Sequence, residues 1–388
     1  MGLKDWLRLS LTDGIGPISI KRLVDAAGGV EGATGGSESL IRSVPGIGAA
    51  KARGIVASMR DAKVDEELER ADRLGIRILC PDDAEYPPLL KAIPDPPAVL
   101  YLKGALQPRD LHAVAIVGSR KCSYYGREQA ERFAALLAGV GVSVISGGAR
   151  GVDSSAHRGA MSHPQGRTIA VLGSGVDVPY PPENDSLFEQ IAQRGAVISE
   201  YALGTPPLRD NFPRRNRIVS GMSRGVLVVE ADERSGALIT ARQAIEDHGR
   251  TVFAIPGRID NPLSAGPHRL IRDGAVLTES ITDILDNLGP MPDHISAPDL
   301  FSAIEEEESG SAAAAPVLIS PPVDLGLTDR QRLILTHLAD PAHVDALVER
   351  TALAPNEILQ DLTLMSLKGI IKRVEGQTFV RSAAKSRS

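Results

Sequence analysis

Three stretches decide the fold: AVAIVGSRKCSYYG (113–126), VSVISGGARGVDSSAH (142–157) and TIAVLGSGVDVPYPPEN (168–184). Each begins as a short run dominated by apolar residues and passes through glycine into a polar, helix-starting segment. The same runs recur at AVIS (196–199), VLVVE (226–230) and TVFAIP (251–256). Runs apolar on both sides of the pleat belong to strands covered on both faces, and the intervals between them are long enough for crossover helices. The pattern predicts an α/β fold, a doubly wound, Rossmann-like and mostly parallel sheet. Upstream, IRILC (76–80) and AVLYLKG (98–104) read as two further strands that extend this sheet or cover one edge.

The loops at the strand ends carry the candidate chemistry. Gly118, Ser119, Arg120 and Ser123 follow the first strand. Gly147, Gly148, Arg150 and Gly151 follow the second, and Gly173 and Gly175 the third. Glycine lets a backbone approach a ligand, and amides at a helix start attract anions. In an open α/β sheet such loops share the crevice at the topological switch point. A fourth element, RDNFPRRNRIVSG (209–221), brings Arg209, Arg214, Arg215, Asn216 and Arg217. Guanidinium groups suit phosphate, and three glycine loops with arginines predict several phosphates held side by side. Between 111 and 290 there are 18 arginines and one lysine, Lys121, so residue type alone reflects a general preference. That preference does not place four arginines within nine residues.

Other chemistries lack their motifs. The sequence has no Gly-Lys dipeptide for a Walker loop, no GxGxxG after the first strand and no HExxH. GMSRG (221–225) matches a nucleophile elbow in spelling but runs from helix to strand, the reverse of what the elbow needs. The two cysteines, Cys80 and Cys122, form no metal-ligand pair, so neither metal nor cofactor is expected. No apolar run reaches membrane-spanning length, which predicts a cytoplasmic protein without a membrane partner. Asp153, His157, Asp177, Glu200 and Glu230 stand near strand ends. They leave a Rossmann-like nucleotide-processing hydrolase as the alternative, although His157, one turn into a helix, suits packing better than proton transfer. The net charge of −6 counts against a protein coated in basic surface, but nucleic-acid binding depends on the local field.

The flanks differ from the centre. Residues 1–65 repeat a Gly-Ile-Gly turn before a basic helix, at Gly14 and again at Gly46. This is the pattern of helix-hairpin-helix modules, in which turn amides face phosphate. A plain helical bundle gives the same pattern, and both readings stand. Residues 66–288 form the predicted Rossmann-like domain, and 289–326 an acidic Pro/Ser/Ala linker with four consecutive glutamates at 305–308. Residues 327–382 predict a winged helix: a capping box at TDRQ (328–331), further helices and a hairpin turning at Glu375-Gly376. Its candidate recognition helix, 355–369, holds Glu357 and Asp361 against Lys368 alone. That suits a protein contact better than a DNA groove.

Taken in order, GSRKCSYYG, SGGARGVDSSAH, TIAVLGSGVDVPYPPEN, ISEYALGTPP, FPRRNRIVSGMSRGVLVVEADERSGALITARQA and GRTVFAIPG resemble the blocks of the DNA-processing protein A family (DprA/Smf) over roughly 75–290. The resemblance implies a homodimer that binds single-stranded DNA and loads the RecA recombinase in natural transformation, and not an enzyme. It places phosphate contacts on Gly118, Ser119, Arg120, Gly147, Gly148, Arg150 and the block Arg214–Arg217. One departure is SAGPHRLI (264–271), where His268 replaces the asparagine usual in the family. Aromatic residues are 3% of the chain, so base stacking falls to few rings, with Tyr124, Tyr125, Tyr180 and Phe212 in suitable loops.

Overall fold

The computed structural model describes residues 2–290 and, beyond them, 329–338, 342–351 and parts of 353–381. The linker expected over 289–326 lies outside the described residues except for Gly289 and Pro290, as does much of the expected helix 355–369. The chain forms two compact units, Met1–Ser311 and Ala312–Ser388.

In the first unit, six helices come first: α1 (Gly2–Ser10), α2 (Pro17–Ala27), α3 (Val30–Thr34), α4 (Glu38–Ser43), α5 (Ala49–Asp61) and α6 (Val64–Arg73). The two Gly-Ile-Gly turns are structurally equivalent. Gly14 and Gly46 sit at φ 80° and 85°, a region that favours glycine, and each turn feeds the next helix, α2 or α5.

The sheet follows, with β1 (Arg77–Leu79), α7 (Pro88–Lys91), β2 (Leu100–Gly104), β3 (Ala113–Val117), α8 (Tyr124–Gly139), β4 (Ser143–Ser146), α9 (Val152–Ser162), β5 (Thr168–Val171), α10 (Asp185–Arg194), β6 (Ala196–Ser199), α11 (Asn211–Gly221), β7 (Gly225–Val228), α12 (Gly236–Glu246), β8 (Thr251–Ala254), α13 (Ala265–Arg272), β9 (Val276–Leu277) and α14 (Ile281–Leu285). The nine strands run β1-β2-β6-β5-β4-β3-β7-β8-β9. All pairs from β6 to β9 are parallel, while β1–β2 and β2–β6 are antiparallel. The two upstream strands therefore extend the sheet, and β9, two residues long, adds an edge that the apolar runs did not announce.

Alternation across the pleat builds a layer on each face. Ala113, Ala115 and Val117 point to one side with Val226 and Val228, against α11 and α12. Val114 and Ile116 point to the other, with Val144 and Leu227, against α8 and α9. Every residue of β3 is buried, and each large aliphatic chain so placed contributes about 1.5–3 kcal/mol. The chain advances from β3 to β6 on one side and resumes with β7 on the other side of β3, so the switch point lies between β3 and β7.

The helices α1–α6 are joined to this sheet. Trp6, Leu23, Ile41 and Ile55 share one apolar cluster with Ile78 of β1 and Tyr101 of β2. Arg70 of α6 pairs with Asp177 at 2.6 Å, and Glu67 accepts the Leu203 amide at 2.8 Å.

In the second unit, α15 (Asp329–Thr336) and α16 (Val344–Thr351) accompany a small antiparallel sheet. Its strands are β10 (Ala342–His343), β11 (Ile371–Arg373) and β12 (Thr378–Arg381), in the order β10-β12-β11. Ile334, Leu347, Leu362, Ile371 and Phe379 close its core. Asp361, buried, accepts from Gln331 at 3.0 Å and pairs with Arg330. That aspartate therefore belongs to the interior and not to a contact surface.

Candidate nucleic-acid interface

The loops after β3, β4 and β5 and the first turns of α11 converge at the carboxyl end of the sheet. The glycines permit this by close approach. A Cβ on Gly151 would stand 2.4 Å from the Ser119 carbonyl oxygen, and one on Gly118 would stand 2.8 Å from that of Glu230. Gly147 leaves no room for a side chain between the Arg215 guanidinium and Asp153, and Gly148 none beside Phe188. Gly173 lies against Phe212, and Gly175 against Asp177. Most of these glycines fit loop to loop, and Gly147, Gly148, Gly173 and Gly175 are buried. Among the described residues, the amides of Arg120, Gly148 and Arg150 have no acceptor in the chain.

The helix starts differ from expectation. The first turn of α8 already holds an anion, because the buried Glu230 carboxylate accepts the Ser123 amide at 2.7 Å and its hydroxyl at 2.6 Å. Asn261 donates to the same carboxylate at 3.2 Å, and the Ser123 hydroxyl also caps the Gly126 amide at 3.1 Å. Ser123 thus serves α8 and is not open to phosphate. Ser119, also buried, donates its amide to the Glu230 carbonyl at 2.6 Å.

The arginine block divides by partners and by direction: Arg215 turns away from its neighbours, while Arg214 and Arg217, three positions apart, lie on one side of α11 and differ in what holds them. Arg214 is exposed and Asn216 half-buried. Arg217 is buried, with its guanidinium on Glu200 at 2.7 and 2.8 Å and on Asp95 at 2.9 Å. The expectation that Arg217 meets phosphate is corrected, because two carboxylates hold it inside the protein. Arg215 is 3% exposed and donates to the carbonyls of Gly147, at 2.5 Å, and Val171, which ties the ends of β4 and β5 together. Burial brings its pKa down to about 10, against the opposing pull of Asp153. Its Nε, buried without a partner among the described residues, belongs to the floor of the site.

At the rim, cations and rings alternate. The Arg120 guanidinium carbon lies 5.0 Å from the centre of the Phe212 ring. Phe212 and Tyr180 stand 5.7 Å apart at 47°, and Arg150 lies 5.9 Å from Tyr180. Arg120 and Arg150 are exposed, and both rings are partly so. Arg150 also forms a two-contact pair with the exposed Glu183, the second contact at 3.0 Å. Beside this row, at the switch point, opens a cleft of about 510 Å³ lined by Gly118–Lys121, Asp153, Arg215, Asn216 and Ser235. Asp153 is buried there, and burial raises its carboxyl pKa despite the nearby Arg215. Ser235 joins the site only through the fold, and Asp153, expected as an acid–base candidate, lines the cleft beside Arg215 and Lys121. Tyr124 and Tyr125 stand apart on the first turn of α8, where Tyr125 donates to the Pro256 carbonyl at 3.0 Å. His268 faces the Gly257 carbonyl, its Nε2 at 3.0 Å.

The acid–base candidates do not assemble. Glu230 serves α8, Glu200 serves Arg217, and Asp177 accepts from Arg70 and from the Gly204 amide at 2.8 Å. His157 is fully buried, with Nδ1 2.7 Å from the Thr168 hydroxyl. Among the described residues no cluster of His, Cys, Asp or Glu could hold a metal ion, and no helix is long and apolar enough to cross a membrane.

Comparison with known proteins agrees with this architecture. The family model for DNA recombination-mediator protein A matches residues 77–289, and that for the DprA winged helix domain matches 319–377. The chain is 34% identical to Protein Smf of Synechocystis over 97% of its own length and 98% of that protein's. It is 49% identical to Protein Smf of Escherichia coli over 54% of its length and 56% of that protein's. The X-ray structure of DNA processing protein A from Streptococcus pneumoniae superposes with a TM-score of 0.66 at 35% identity, covering 75% of this chain and 100% of that one. With one family model over more than half of its residues and a relative matched almost end to end, the chain belongs to the DNA recombination-mediator protein A (DprA/Smf) family of DNA-processing proteins.

Proposed function

We propose that this chain binds single-stranded DNA along the carboxyl rim of its sheet and hands the strand to the RecA recombinase, acting as a cytoplasmic homodimer without chemistry of its own. The row Arg120–Phe212–Tyr180–Arg150 carries this reading. Single strands are held by stacking of bases on rings and by cations that follow the phosphates, and the row supplies both in alternation. The amides of the exposed Arg120 and Arg150 add sequence-independent contacts. Membership of a recombination-mediator family supports the RecA and dimer assignments. The separate engagements of Glu200, Glu230 and His157 support binding over hydrolysis.

Fluorescence anisotropy titrations of single- and double-stranded oligonucleotides at two salt concentrations test the proposal. Tighter binding of the single strand is expected, with log K falling by about 0.7 per phosphate contact against log salt. Equal affinity for both forms, or affinity untouched by Arg120→Glu, would overturn it.

A further inference from the structure

The row of rings and cations ends at Phe212, but the surface beside it goes on. Pro213 and Arg214, the next residues of α11, line a groove of about 970 Å³. Its other walls are Pro17 and Ile18, which follow the first Gly-Ile-Gly turn, and Tyr201 and Ile239. Tyr201 donates to the carbonyl of Asn211, the residue before Phe212, at 3.2 Å. The groove therefore adjoins the row along the first turn of α11. The second Gly-Ile-Gly turn, at Gly46, does not border it.

Its lining has the mixed character that a nucleotide needs. Ile18 is 48% exposed, and Pro17, Tyr201 and Ile239 are partly so, which leaves apolar and aromatic wall open to solvent. Gln243, on the same wall, keeps its Oε1 without a donor among the described residues, an acceptor suited to the amine of a base. Arg214 is exposed and forms no ion pair among the described residues, while Asp95 and Glu200 are engaged by Arg217. The remaining acid of the lining, Asp13, lies beside the start of α2. That first turn holds no acid, and the amides of Ile18 and Ser19 have no acceptor among the described residues. The positive end of the helix thus offsets Asp13, and Arg214 is left as the seat for phosphate.

We propose that this groove is a second stretch of the single-strand site, built jointly by the N-terminal helices and the sheet domain. Bases of a strand that leaves the Phe212 ring lodge between Pro17 and Ile18 on one side and Tyr201 and Ile239 on the other, with their phosphates along Arg214. Every base has an apolar face, so such walls take any sequence. The inference rests on the rim reading given above, and it assigns the first hairpin, but not the second, to DNA.

Anisotropy titrations of the full chain with a single strand of about 16 nucleotides, long enough to run from rim into groove, test this. Ile18→Glu is expected to weaken binding about tenfold, Ile239→Glu on the facing wall to repeat that loss, and Ile18→Leu to retain natural affinity. Lys51→Glu, at the exposed start of α5 beyond the second turn, should leave affinity unchanged although it alters the charge by twice as much. Natural affinity in both Ile18→Glu and Ile239→Glu, with Arg120→Glu still weakened, would overturn the groove and leave the rim standing. Affinity untouched by all three would overturn both. Equal losses in Ile18→Glu and Lys51→Glu would report overall charge alone, and would likewise overturn the groove.

Discussion

Glu230 and Ser123, 107 positions apart, meet at the first turn of α8, where the carboxylate takes both the Ser123 amide and its hydroxyl. An internal carboxylate thus fills the seat that a glycine loop before a helix ordinarily offers to phosphate. Glu230→Ala would leave those donors buried and unpaired, at a cost of about 1–3 kcal/mol. Calorimetry should show a lowered melting temperature for Glu230→Ala and a smaller loss for Glu230→Gln, which retains an acceptor.

The arginines of α11 should separate stability from binding. Arg217→Ala removes one partner from a buried pair and is expected to cost about 3–5 kcal/mol of stability. The protein that remains folded should bind single strands as before. Arg120→Ala, at an exposed position, should leave the melting temperature unchanged and weaken binding. Melting curves alongside anisotropy titrations check both.

Phe212 and Tyr180 touch, so their substitutions should not add. Each change to alanine is expected to cost about 1–3 kcal/mol of single-strand affinity, alike for all base compositions. The double variant should lose less than the sum, because either ring supports the other. A double-mutant cycle by anisotropy measures the coupling, and strict additivity would show that the two rings act separately.

His157 gives the fold an acid-sensitive point. Burial, assisted by the positive Arg215 and Arg158, lowers its pKa from 6.5 to about 3. The unfolded chain therefore takes up a proton near pH 6.5 that the folded chain refuses. The stability it contributes is complete above that pH and declines as pH falls from 6.5 toward 3. The slope approaches about 1.4 kcal/mol per pH unit. In urea titrations across this range His157→Gln should show a shallower decline, even though its stability at neutral pH is lower.

Much of this was legible in the sequence, for physical reasons. Strands covered on both faces must be apolar throughout, so β3, β4 and β5 announce themselves, and the glycines after them mark where loops pack closely. The edge strand β9 has too little apolar sequence to stand out. The arginine block misled in part, because Arg214 and Arg217 share one side of α11, yet only Arg217 is buried against carboxylates. Their difference rests on Asp95 and Glu200, more than 15 positions away. The role of Glu230 as a cap was hidden for the same reason: a partner 107 residues distant leaves no local pattern. Tyr180 and Phe212 could be placed in the right loops, but their contact with each other depends on how those loops close.

The apolar cluster that joins Trp6, Leu23, Ile41 and Ile55 to Ile78 and Tyr101 bears on how the protein can be divided. The helices are the cover for the outermost strands, so excising them near residue 65 would bare an oily face beside an unpaired strand edge. Such a fragment would tend to self-associate through that face and edge. A shortened protein intended for solution work should therefore be cut on the far side, after the sheet, and keep its first residues.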